Sequence, residues 1–184
     1  MTTATNQVSA SEGVKQAIES GQGLPILDVG PYLAGKPGAL EQLAADVRWI
    51  QENLGFFAIV NHGIPQGLID ESFRQTAKLF EIPMEEKLRH RVGFHHQGYL
   101  PPKASILQST AIMEKIALNT KKDTNAAWLF MRNRTADDPK VVANVRHRGL
   151  NQWPESLPEF RKTLYEYQTS MEALALKLLP IYAR

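Results

Sequence analysis

Five consecutive apolar residues, Phe56-Phe57-Ala58-Ile59-Val60, sit between Gly55 and the turn residues Asn61-His62-Gly63. Aromatic and β-branched members in so short a run predict a strand. Apolarity at every position, rather than at alternate ones, predicts that both its faces are covered. Such a strand needs helices around it, and the flanking sequence supplies them. Upstream, Leu40, Leu43, Ala44, Val47, Ile50 and Leu54 recur at spacings of three and four, the pattern of an amphipathic helix, with Gly55 as its stop. Downstream, Leu68 to Phe80 predicts a second helix with Ile69, Phe73, Ala77 and Phe80 along its apolar side.

The remaining elements follow from the same rules. Residues 1–23 are polar and small and predict a flexible arm with one short helix near Val14 to Ile18. Leu24 to Val29 predicts an opening strand with Asp28 as an acceptor at its end, and Pro31 to Gly38 a loop. Pro83 restarts a short helix through Lys87. Gly93 to Lys103 is loop chemistry. Irregular strands are expected around Ile116 to Leu118 and Trp128 to Met131, and a helical turn within Asp137 to His147. From Pro158, the residues Phe160, Leu164, Tyr167, Met171, Leu174, Leu178 and Ile181 define a long helix over 158–184 with a narrow apolar seam. No cap or turn residue closes it, so the sequence is expected to be part of a longer one.

Composition narrows the function. With 21 basic and 19 acidic side chains, a net charge of +2 gives no broad drive toward nucleic acid or an anionic membrane. No cysteine is present, which excludes disulfides, thiolate nucleophiles and cysteine-based metal centres. No apolar run approaches the length of a membrane span, and no signal peptide is evident, so a cytoplasmic location is expected.

Several segments, in order, resemble one family. They are Leu24-Pro25-Ile26-Leu27-Asp28, Gly55 through Pro65 with its Asn61-His62-Gly63, Phe80-Glu81-Ile82-Pro83-Met84-Glu85-Glu86-Lys87, the pair Gly98-Tyr99, Arg148 through Pro154, and Leu157-Pro158-Glu159-Phe160-Arg161. Together they resemble the N-terminal region of the isopenicillin N synthase-like, Fe(II)- and 2-oxoglutarate-dependent dioxygenases. The resemblance implies an α+β fold. A largely helical N-terminal domain with a few short strands, here 24–184, precedes and flanks a double-stranded β-helix (jelly roll) that is itself mostly absent. It also implies Fe(II) and 2-oxoglutarate as cofactors of full-length members, with iron held by two His and one carboxylate. The jelly-roll catalytic domain becomes the expected partner, in the same gene or as a companion chain, together with a small-molecule substrate. Tyr99, Lys103 and Trp128 are the residues expected to approach that substrate. One departure is Asn125-Ala126-Ala127-Trp128, where the family pattern carries an acid at the position of Ala126.

None of the five histidines begins a His-x-Asp or His-x-Glu motif, and no Arg-x-Ser is present. Neither catalytic residues nor a metal or cofactor site is therefore expected in this chain alone. His62 reads as a ligand, a base or a turn-locking residue, and its spacing from other donors favours the last. Lys87, Arg89, His90, Arg91, His95 and His96 form a basic cluster. Glu85 and Glu86 beside it favour a solvated face or site rim over a nucleic-acid patch, and His95-His96 suits a stray metal ion. The seam over 160–181 is a candidate for self-association if nothing covers it. Two readings stay open for activity. One is the N-terminal portion of an oxygenase, inactive alone. The other is a stand-alone interaction or regulatory module derived from that family.

Overall fold

A computed structural model describes residues 8–21, 24–102 and 124–184. Helices predominate, and the strands form two separate two-stranded sheets, with no closed sheet or jelly roll among the described residues. The chain divides into two compact units, Met1–Gln66 with Thr169–Arg184, and Gly67–Gln168.

In the first unit, strand β1 (Ile26–Asp28) pairs in parallel with β2 (Ala58–Val60), Leu27 opposite Ile59. Parallel strands need a crossover. It is made by the short helix α2 (Gly30–Leu33) and by α3 (Ala39–Asn53). Helix α3 buries Leu43, Ala44, Val47 and Ile50, the residues its periodicity marks. Gly55, at φ 87°, lets the chain leave the helix in the left-handed region and enter β2. Helix α1 (Glu12–Glu19) lies within the expected arm; it adds Val14 to a core that also holds Leu27, Val29 and Ile181. Ser11 N–H donates to Asp46 Oδ1 at 2.6 Å, which ties this segment to α3.

Covering of both strand faces is not what forms. Phe56 is 72% exposed and precedes β2, while Phe57 and Ile59 pack on the core and Val60 faces outward. A sheet of only two short strands has one face on α3 and its neighbours, and the apolar run is longer than the core it can reach.

The second unit is built from α4 (Gln66–Glu81), α5 (Met84–Arg89), β3 (Gly98–Leu100), β4 (Ala127–Leu129), α6 (Pro139–Val142) and the first turns of α7 (Pro158–Tyr182). Its core joins Leu79, Phe160 and Leu164 with Ile82, Trp128, Phe130, Trp153 and Leu157. Pro83 precedes α5 as its N-cap, and Asp138 caps α6 by accepting from Lys140 N–H at 2.8 Å. Strand β3 lies in a stretch whose composition predicts loop. The strand expected around Ile116 to Leu118 lies outside the described residues.

Helix α4 turns a different face inward from the one its aromatic residues suggest. Ser72, Gln75 and Leu79 are buried, while Phe73 is 75% exposed. The polar pair is satisfied within the helix. Ser72 Oγ donates to Leu68 O at 2.8 Å, and Gln75 Nε2 donates to Glu71 Oε1 at 2.8 Å. Burying them therefore leaves no unpaired donor.

The long helix runs as its spacing predicts. Phe160 and Leu164 enter the core of the second unit, and Leu178 and Ile181 that of the first. Much of the seam expected to drive self-association is thus covered inside the chain. Among the described residues, no helix is long and apolar enough to cross a membrane.

Candidate functional site

Strands β3 and β4 bring two of the three expected substrate residues together. They pair antiparallel with Tyr99 directly opposite Trp128, and the two rings lie 6.3 Å apart between centroids. Tyr99 is only 2% exposed, so it stands inside the unit and backs the indole. Trp128 is half-buried; its indole N–H donates to Gln152 O at 3.0 Å, which fixes the ring plane. Lys103 lies outside the described residues.

His90 completes this aromatic wall. Its ring lies 5.6 Å from Trp128, and its Nε2 is 3.5 Å from Glu155 Oε2. Neither the composition nor any motif singles out this pairing, because Glu155 is remote in sequence and belongs to no recognisable spacing. Gly98 makes the wall possible. Its φ is 111°, and a Cβ there would lie 2.0 Å from the His90 carbonyl oxygen. That oxygen accepts from Tyr99 N–H at 2.7 Å.

Glu86 anchors the rim. Its Oε1 accepts from Ser156 Oγ at 2.8 Å and from Ser156 N–H at 3.1 Å. These bonds, with Arg89 and His90 nearby, hold the carboxyl below its usual range. A depressed folded value means that the ionised carboxylate stabilises the fold above the ordinary carboxylate range. The contribution is lost as pH falls through the lowered value. Glu86→Gln is therefore expected to be less stable than the parent at pH 7, with the gap closing in acid. Urea midpoints measured from pH 7 down to 3 check this; a gap that widens in acid would contradict it.

In the first unit, Asp28 sits at the end of β1 as a strand-end acceptor. Asn61, in the left-handed region at φ 56°, bonds it and lowers its carboxyl, and the Gly30 N–H adds a further bond at 2.9 Å. His62 Nδ1 accepts from Ile64 N–H at 3.1 Å, which locks the turn after β2.

No group of three His, Asp or Glu side chains among the described residues is placed to hold a metal ion. The donor set of a facial triad is not assembled there, and the described residues do not fit catalytic iron. What the site offers is a rigid aromatic surface with a His–Glu pair at its edge.

Among the described residues, helices carry two small two-stranded sheets, and an aromatic wall stands on β3 and β4. The sequence profile of the family described as non-haem dioxygenase in morphine synthesis N-terminal matches residues 24–156, and the chain belongs to that family. Among curated proteins it is 33% identical over 166 residues to the 2-oxoglutarate-dependent dioxygenase citB of Monascus ruber, covering 87% of this chain and 47% of that protein. It is 30% identical to the clavatol oxidase claD of Penicillium crustosum, covering 87% and 49%. Among solved structures it resembles a full-length Neurospora crassa protein in complex with alpha-KG, at TM-score 0.63 and 22% identity over 87% of this chain and 46% of that one. It also resembles a 2OG-Fe(II) oxygenase family protein of Caulobacter crescentus, at TM-score 0.65 and 19% identity over 87% and 47%. The chain spans about half the length of the curated relatives it matches.

Proposed function

We propose that this chain is the N-terminal portion of an Fe(II)- and 2-oxoglutarate-dependent oxygenase acting on a small organic molecule, and that it does not turn over by itself. The observation that carries the proposal is the asymmetry of coverage. Relatives named as 2-oxoglutarate-dependent dioxygenases match 87% of this chain with only 47% of their own length. The absence of a three-ligand group among the described residues and of any His-x-acid motif in the sequence supports it. Iron and 2-oxoglutarate then belong to the complementary half, which is the partner this domain serves.

Within that proposal, Trp128 is the residue of this chain that meets substrate. Tyr99 acts through it, by backing the indole, and Lys103 is the third member of the set. The domain supplies an apolar wall, and its packed aromatic rings exclude water from whatever is held against it.

The coding sequence beyond Arg184, or a companion gene, tests this proposal. It is expected to carry His-x-Asp or His-x-Glu, a later His and an Arg-x-Ser element. If neither place carries them, the stand-alone interaction module becomes the better account.

A further inference from the structure

Two loops of the second unit, residues 93–97 and 144–149, are fastened to one another. His95 Nε2 lies 2.9 Å from Asn144 Oδ1, and Gln97 Nε2 donates to Gly149 O at 3.0 Å. Gln152 Nε2 donates to Gln97 O at 2.8 Å. The packing is close. A Cβ on Gly149 would lie 2.6 Å from the His95 ring. These ties fix the relative position of the two loops, and two histidine side chains, one from each loop, meet at their exposed surface.

That pair is His96 and His147. Their imidazole centroids are 5.9 Å apart and their planes are nearly perpendicular, at 87°. Both residues are exposed, and neither belongs to the hydrophobic core of the unit. Both adopt the left-handed backbone, at φ 59° and 62°, a region that non-glycine residues seldom occupy. Such conformations persist only where the surroundings over-determine them, and they cluster at binding sites.

We propose that His96 and His147 form a two-imidazole site for a divalent transition-metal ion of borderline softness, the class of Ni²⁺, Cu²⁺ and Zn²⁺. A metal–nitrogen bond of roughly 2 Å puts each ring centroid roughly 3 Å from the ion, so two rings sharing one ion have centroids roughly 4.5–6.5 Å apart. The observed separation of 5.9 Å falls in that interval. Imidazole suits these ions and not Mg²⁺ or Ca²⁺, which want carboxylate oxygens. Neither loop carries an acid in Gly93 to Gln97 or Asn144 to Gly149. With two protein ligands, water completes the coordination. The flanking Arg146 and Arg148 oppose the cation and favour an anion as co-ligand.

Ni²⁺ titrated into the untagged 184-residue chain tests the site, with ¹H–¹⁵N NMR to locate the ion and calorimetry for affinity. Paramagnetic broadening is expected to centre on residues 93–98 and 144–149, and Mg²⁺ is expected to shift nothing there. His96→Asn and His147→Asn keep a residue type that tolerates the left-handed backbone. Each is expected to weaken Ni²⁺ binding at least tenfold with little change in the fold. Broadening around residues 95–96 that survives His147→Asn would assign the ion to the adjacent His95–His96 pair and overturn the proposal. Unchanged affinity in both variants would overturn it equally, as would no broadening at millimolar Ni²⁺.

Discussion

Phe160→Ala is expected to cost about 3–5 kcal/mol of stability in the second unit, the range for deleting a buried aromatic ring. Phe160 is 2% exposed and stands where three contributions meet. Leu79 reaches it from α4, Trp128 lies 6.2 Å away edge-on, and Trp153 lies 5.8 Å away. Each aromatic pair adds about 0.5–1.5 kcal/mol beyond the area it buries. A total of that size is a large fraction of the roughly 5–15 kcal/mol by which a domain is ordinarily stable. Two of the chain's three tryptophans lie in this cluster, so urea unfolding followed by tryptophan fluorescence reports on it directly. Phe73→Ala is the matched control. At 75% exposure it is expected to stay within about 0.5 kcal/mol of the parent. Equal losses for the two variants would mean that the inward face of α4 has been misidentified.

Gly98→Ala is expected to cost about 3 kcal/mol or more. The left-handed φ of 111° accounts for about 1–3 kcal/mol once a Cβ is present. The clash adds to this, because the new atom would meet the His90 carbonyl oxygen at 2.0 Å. That oxygen is backbone and already accepts from Tyr99 N–H, so relief by movement sacrifices a bond worth about 1 kcal/mol. Gly67→Ala, in α4 with nothing within 4 Å of the added methyl, is expected to be neutral or to stabilise by up to about 1 kcal/mol. Thermal unfolding of the pair separates a steric effect at one glycine from a general effect of replacing glycine.

These two positions show what a sequence carries and what it withholds. The existence of α3, α5 and α7 is written in local signals: periodic apolar residues, Pro83 and Pro158 at starts, Gly55 at a stop. The direction in which a helix faces is not always local. In α4 the 3.6-residue period is plain, yet Leu79 with two internally satisfied polar residues faces in while Phe73 faces out. The partners of that face, Phe160 and Leu164, lie far along the chain, and periodicity carries no record of them. The run Phe56 to Val60 marks a strand correctly but overstates its cover, because composition cannot count how many neighbours a sheet acquires.

The candidate site divides in the same way. Tyr99 and Trp128 stand out as residues, whereas their cross-strand pairing depends on a register that is not written in their neighbours. The His90–Glu155 contact and the His96–His147 pair join positions far apart in the sequence of the second unit. Only the fold brings them together. None of the five histidines begins a His-x-acid motif, which is the sequence observation behind the proposal that iron is held elsewhere.

The central claim is that the chemistry of the family resides outside this chain. The most direct measurement is 2-oxoglutarate-dependent oxygen consumption and succinate formation by the purified chain with added Fe(II). The account predicts no consumption above that of Fe(II) and 2-oxoglutarate without protein. Turnover that rises in proportion to chain concentration and stops on chelating the iron would contradict it.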